Sequence, residues 1–156
     1  MNFRIIQRDS FSVIGKSTII THVAKYEQLP QFWSCCHSDG TIKMLHTLGD
    51  DTIIGVGDNN SSGNDSFRYM IGTSSDINPP VNLDSWIIPA STWIVFDPVL
   101  SIPELVGSVW KYIFNDFLPN NDYLLAPTPD LEVNQKINHS DADYTCEIWI
   151  PVLRKP

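Results

Sequence analysis

The chain has 156 residues, 42% of them apolar and 18% charged, with a formal net charge of -8. That profile fits one folded domain spanning residues 1–156, able to bury its own core without metal or disulfides. The acidity, with a pI near 4.7, excludes the phosphate-neutralising surface that direct nucleic-acid binding requires, so a charged partner is expected to be cationic.

The first segment, Phe3 to Ser17, is rich in β-branched and aromatic residues, and Phe11-Ser12-Val13-Ile14-Gly15 alternates as a strand does. A helix is predicted next, with Pro30 in its first turn, Phe32, Trp33 and Cys36 on one face, and Asp39-Gly40 as its stop. Strands are expected at Thr52 to Gly57 and Phe67 to Thr73, joined by the turn-forming run Asp58 to Asp65. After Asn78-Pro79-Pro80, Trp86 to Asp97 reads as one or two strands broken at Pro89. Ser101-Ile102-Pro103-Glu104 has the form of a capping box, and the stripe Leu105, Val109, Ile113 and Phe117 behind it marks a second helix ending before Pro119. Strands at Asp130 to Gln135 and Tyr144 to Val152 close the chain around a polar loop, Asn138 to Asp141.

The order strand, helix, strand, polar loop, strand therefore occurs twice. This predicts an α+β fold of two βαββ repeats about a pseudo-twofold axis, with two helices on one antiparallel sheet and a cleft at the seam. Laying Phe67 to Gly72 over Thr145 to Ile150 sets Tyr69 against Glu147, and both are then expected to face the same space.

Most chemical motifs fail on inspection. Gly15-Lys16-Ser17-Thr18 imitates the end of a phosphate-binding loop, but Ser10 stands where the earlier glycine is required. The histidines His22, His37, His46 and His139 share no ligand spacing, and Asp50-Asp51 and Asp141-Ala142-Asp143 lack the glycine and spacing of a calcium loop, so neither a metal nor a cofactor is expected. Ser10, Ser12 and Ser91 lie in no nucleophile elbow, and Cys35 and Cys36 fall on a predicted helix with no histidine signature. Three cysteines complete no disulfide framework, and no run is long and apolar enough for a membrane span or a leader. Reduced thiols in the cytoplasm are expected, where the sequons at Asn64 and Asn138 carry no sugar.

What remains is aromatic and acidic. Five tryptophans, Trp33, Trp86, Trp93, Trp110 and Trp149, exceed the needs of a small core, and Trp33, Trp93 and Trp149 are open between core and pocket. Glu147 is a lone carboxylate in an otherwise apolar strand; it is either solvent-exposed, paired inside the protein, or held for a ligand. A carboxylate among aromatic faces suits a planar or cationic organic molecule.

The strings Pro30-Gln31-Phe32-Trp33, Phe67 to Gly72, Ile88 to Phe96, Trp110 to Phe114 and Cys146 to Val152 resemble the GyrI-like small-molecule-binding domain, the effector-binding domain of AraC-type and multidrug-responsive regulators. The resemblance covers nearly the whole chain. It implies two βαββ repeats and an aromatic cleft in which Glu147 is the anchor and Tyr69, Trp93, Trp33 and Trp149 are pocket residues. Strand signals begin at Phe3 with no helix-turn-helix before them, which points to a stand-alone module. The expected function is binding of an amphipathic or cationic compound for sensing or sequestration. One alternative is hydrolysis of electrophilic, cyclopropane-type xenobiotics with Glu147 as general base. Another is interaction with a protein partner such as gyrase.

Overall fold

The computed structural model describes residues 1–58, 65–137 and 143–156. Most of the two polar loops, with the sequon asparagines Asn64 and Asn138, His139, Ser140 and Asp141-Ala142, lies outside the described residues. The elements are β1 (Phe3–Arg8), β2 (Phe11–Thr21), a 3-10 turn (His22–Ala24), α1 (Lys25–Ser38), α2 (Thr41–Leu48), β3 (Thr52–Gly57), β4 (Ser66–Ser74), β5 (Asp84–Ile88), β6 (Ser91–Phe96), β7 (Val99–Leu100), α3 (Pro103–Tyr112), β8 (Tyr123–Leu125), β9 (Asp130–Lys136) and β10 (Tyr144–Arg154). The fold is α+β, a large antiparallel sheet with three helices. Eight strands run in the order β1-β6-β10-β9-β3-β4-β2-β5, and the short β7 and β8 add to β10.

Three local expectations change. The first segment, Phe3 to Ser17, divides between β1 and β2, and Gly15 to Thr18 lies inside the long β2, where its glycine pairs with Gly72 and two backbones approach closely. Pro30 lies inside α1, because the helix begins at Lys25 after a 3-10 turn that sequence pattern does not announce. Asp39-Gly40 stops α1 and also starts α2. Gly40 adopts φ 86°, and the Asp39 carboxylate accepts from the Thr41 backbone N–H at 2.9 Å and its hydroxyl at 2.6 Å. Those bonds and Lys16 hold the Asp39 carboxyl down at about 2.

The second helix keeps its apolar stripe but not its capping box. The Ser101 hydroxyl donates to Asn134 Oδ1 at 2.6 Å, and Ile102 stands at the N-cap with no side-chain bond. At its far end α3 widens into a π-helical turn, Ile113–Phe117, where the Leu118 N–H reaches the Ile113 carbonyl at 2.9 Å. The extra residue per turn rotates Phe114 outward and keeps Ile113 and Phe117 buried.

The strand order reads as two like halves meeting at β9 and β3. Each half contributes strand, strand, helical region, strand, strand, but their first strands are exchanged. β1 pairs with β6 of the second half, and β5 pairs with β2 of the first. At the seam Gly55 lies opposite Glu132. Across the same ladders Tyr69 stands to Gly57 as Cys146 stands to Asn134, so the residue that matches Tyr69 is Cys146. The register that set Tyr69 against Glu147 is one residue out, and in a strand a one-residue slip exchanges the faces.

Helices cover one face only. Beneath α3, Phe96, Ile113, Phe117, Ile148 and Ile150 form one cluster, and beneath α1 and α2, Cys36, Leu45, Ile53 and Ile71 form another. The opposite face is built from strands alone. There Val13, Ile88, Trp93, Val95 and Trp149 belong to one apolar cluster that runs across the strand order. Arg8, at the end of β1, stands 3.6 Å from the centre of the Phe11 ring on β2 and 5.7 Å from that of Trp149 on β10, so the sheet curls on itself. Phe117 is 1% exposed and meets Phe3 edge-on at 5.0 Å and Phe96 at 5.1 Å. Phe117→Ala is expected to cost about 3 to 5 kcal/mol in a denaturant titration, because the rings around it cannot close the void.

Candidate functional site

Alternation along four central strands decides what faces the helices. Tyr69 on β4, Gly55 and Gly57 on β3, Glu132 and Asn134 on β9 and Cys146 on β10 share the helical face; Met70, Val56, Val133, Glu147 and Trp149 share the other. Between α1 and α3 the helical face is left uncovered, and a cleft opens there. It has two lobes, of about 420 and 750 Å3, and both are lined by Tyr69, Trp110, Glu132, Leu29 and Lys25.

The centre of the cleft is a chain of hydrogen bonds running from one helix to the other. Trp33 Nε1 on α1 donates to the Tyr69 hydroxyl at 3.0 Å, and that hydroxyl donates to Glu132 Oε1 at 3.4 Å. From α3, Trp110 Nε1 donates to Glu132 Oε2 at 2.8 Å. Tyr69 can lie across the floor only because Gly55 has no side chain, since a Cβ there would collide with the Tyr69 hydroxyl. Among the described residues no Lys, Arg or His side chain forms an ion pair with Glu132.

Burial therefore governs the electrostatics. It pushes the Glu132 carboxyl above its ordinary value, against the pull of the two donors, and it drives the Tyr69 phenol well above its own, helped by the neighbouring carboxylate. The Cys146 thiol beside them is also pushed up, first by burial and then by Glu132 and Glu147, which leaves it protonated and poorly nucleophilic. Among the described residues no group of His, Cys, Asp or Glu is arranged to hold a metal.

Two residues expected in a pocket, Tyr69 and Trp33, line this cleft. Three others do not reach it. Glu147 lies on the opposite face, where Oε2 accepts from Arg4 Nη1 at 2.9 Å and Oε1 from Trp149 Nε1 at 3.3 Å. Of the three fates open to it, internal pairing is the one observed. Trp93, 0% exposed, and Trp149, 8% exposed, meet edge-on at 5.8 Å inside the strand-only core.

Glu132 and Trp110 are the cleft residues that sequence reasoning missed. Trp110 falls on the apolar stripe of a helix and reads as packing. Glu132 sits in Asp130-Leu131-Glu132-Val133-Asn134, whose alternation reads as a half-buried strand with its polar face in water. The signal lies in position rather than pattern, because β9 is a central strand.

Residues 4–152 match Cass2, the integron-associated effector binding protein family. The chain belongs to this family. No curated protein matches the sequence. Among solved structures, SAV2435 bound to tetraphenylphosphonium superposes with a TM-score of 0.83 at 20% identity, covering 98% of this chain and 94% of that one. A protein from Staphylococcus aureus MU50 gives 0.76 at 21% identity, over 100% and 99% of the two chains. The Vibrio cholerae integron cassette protein VCH_CASS2 gives 0.69 at 18% identity, over 97% and 95%. At these identities the likeness is one of fold, and membership of the Cass2 family makes this an effector-binding protein that takes small molecules.

The two glutamates should respond differently to neutralisation. The Glu147 side chain is 24% exposed and that of Arg4 51%, and such a pair contributes at most about 1 kcal/mol. Glu147→Gln is therefore expected to lower stability by no more than that in urea. Glu132 has its folded-state pKa raised, so the folded chain holds this proton more tightly than the unfolded chain, and stability falls as pH rises through the raised value. Glu132→Gln should leave stability at pH 8 equal to or above that of the parent, with the gain vanishing once acid protonates the parent carboxyl; thermal melts from pH 4 to 8 measure it.

Proposed function

We propose that this chain captures lipophilic organic cations in the cleft between α1 and α3, with Glu132 as the anionic anchor and Tyr69, Trp33 and Trp110 as its aromatic surround. One observation carries the reading: a partly buried carboxylate at the centre of the cleft, which among the described residues is held by neutral donors alone. An ionised group so placed is costly without a counter-charge, and an apolar cation entering the cleft supplies one while its organic groups bury against aromatic faces. The net charge of -8 favours approach of cations over the whole surface. Tetraphenylphosphonium on SAV2435, a lipophilic cation on the same fold, supports the choice of ligand class. Capture of this kind serves sensing or sequestration of amphipathic cations. In this reading Glu147, Trp93 and Trp149 do not touch the ligand; they hold the sheet that carries the cleft.

Titration of tryptophan fluorescence with tetraphenylphosphonium, checked by calorimetry, tests the proposal. Saturable binding is expected, weakened at least tenfold, or about 1.4 kcal/mol, in Glu132→Gln and changed less than about threefold in Glu147→Gln. Because the cation needs the ionised form, affinity should rise with pH through the raised Glu132 pKa, and Glu132→Gln should flatten that profile. No saturable binding, or equal affinity in parent and Glu132→Gln, would show the reading to be wrong.

A further inference from the structure

Resting on that reading, we infer that the cleft selects cations whose charge lies between apolar arms and donates no hydrogen bond, over cations charged at one end and over primary ammonium ions. The first reason is where the carboxylate sits. Glu132 lines both lobes, together with Tyr69 and Trp110, so a charge held against it has apolar space on either side. One lobe offers Ile42, Ile53 and Val106; the other offers Phe67, Phe114 and Leu125. A cation with its charge at one end fills a single lobe and leaves the other to water, forgoing the burial that the second lobe provides.

The second reason is hydrogen-bond capacity. A carboxylate has about four lone-pair positions, and Trp110 and Tyr69 already engage one on each Glu132 oxygen. A primary ammonium brings three donors, more than the remaining capacity. Of the polar residues two places along β9, Asn134 already accepts from Ser101 and donates to the Ile53 carbonyl at 3.2 Å, and Asp130, which lines the larger lobe, has an interaction of its own. An ammonium ion held against Glu132 would bring more donors than that carboxylate has free positions and would give up part of a strong hydration shell. A quaternary phosphonium or ammonium centre has no donor to satisfy, and its charge is read by proximity to the carboxylate and by the aromatic faces.

The floor of the larger lobe sets the shape of the second arm. Gly57 lines it without a side chain, leaving backbone against which an aryl group can lie, beside the Tyr69 ring that occupies the space over Gly55. Gly57 is also a place where that floor can be raised gently. A Cβ there would stand 3.1 Å from an Asp130 carboxylate oxygen and 3.9 Å from a Tyr69 ring carbon, both on side chains, so alanine fits with a small shift.

Calorimetric titration of the full chain with three probes decides the matter: tetraphenylphosphonium, dodecyltrimethylammonium below its micellar concentration, and protonated 2,2,2-triphenylethylamine. Tetraphenylphosphonium is expected to bind at least about tenfold more tightly than either of the others. Gly57→Ala should reduce that preference at least about threefold by weakening tetraphenylphosphonium alone, with its melting temperature confirming the fold. The inference is overturned if the three probes bind within threefold of one another, if the amine binds tightest, or if Gly57→Ala leaves the preference unchanged. In each of those cases loss of binding in Glu132→Gln still upholds cation capture. If Glu132→Gln binds every probe as the parent does, the underlying reading fails, and this inference with it.

Discussion

The antiparallel ladder between β3 and β9 is the constraint on which the rest of the molecule depends. It joins two like halves into one sheet, and by placing Gly55 opposite Glu132 it assigns every neighbouring side chain to the helical face or to the strand-only face. Had the register slipped by one residue, Glu132 and Asn134 would enter the strand-only core while Leu131 and Val133 faced the helices. Position in that ladder therefore matters more than residue type in deciding which acid lines the cleft.

Two glutamates on adjacent strands show how strongly surroundings determine chemistry. Glu147 faces an arginine with access to water, an arrangement that settles an ionised carboxylate cheaply and leaves it inert. Glu132, on the other side of the same sheet, is half-buried in the cleft and, among the described residues, is met by an indole N–H and a phenol hydroxyl rather than by a cation. Neutral donors offset the cost of ionising it less than an arginine would, which is why the two carboxylates differ in how readily they give up their charge.

Much of the fold was legible in the sequence. The alternating runs, the doubled order of elements and the apolar stripe of α3 each rest on local periodicity, and the resemblance to an effector-binding domain agrees with the Cass2 match. Helix boundaries were less legible: Pro30 signals a first turn, yet tertiary packing carries α1 through it, and α2 hides behind Asp39-Gly40, a pair that ends one helix and begins another. The site was half legible. Tyr69 and Trp33 stand out as aromatics, whereas Glu132 wears the pattern of a solvated face because its strand looks amphipathic in isolation. Only the pairing of β9 with β3 and β10, with α1 and α3 on either side, makes that face the floor of a cleft. Glu147 drew attention for being anomalous within its own strand, and its explanation, Arg4, lies at the far end of the chain.

The exchange of β1 and β5 between the halves has a consequence for how the chain reaches this structure. A chain emerging from its N-terminus cannot give β1 a hydrogen-bonding partner until β6 exists, nor complete the edge of β2 until β5 arrives. Neither half is a closed unit, and each withholds from the other one strand of its sheet. Assembly is thus dominated by pairings distant in sequence, the kind whose loop-closure entropy must be met before their contacts form. The two halves are bound to fold as one, and a break in the chain between them would leave each with an unpaired edge ready to take up the strand that its counterpart carries.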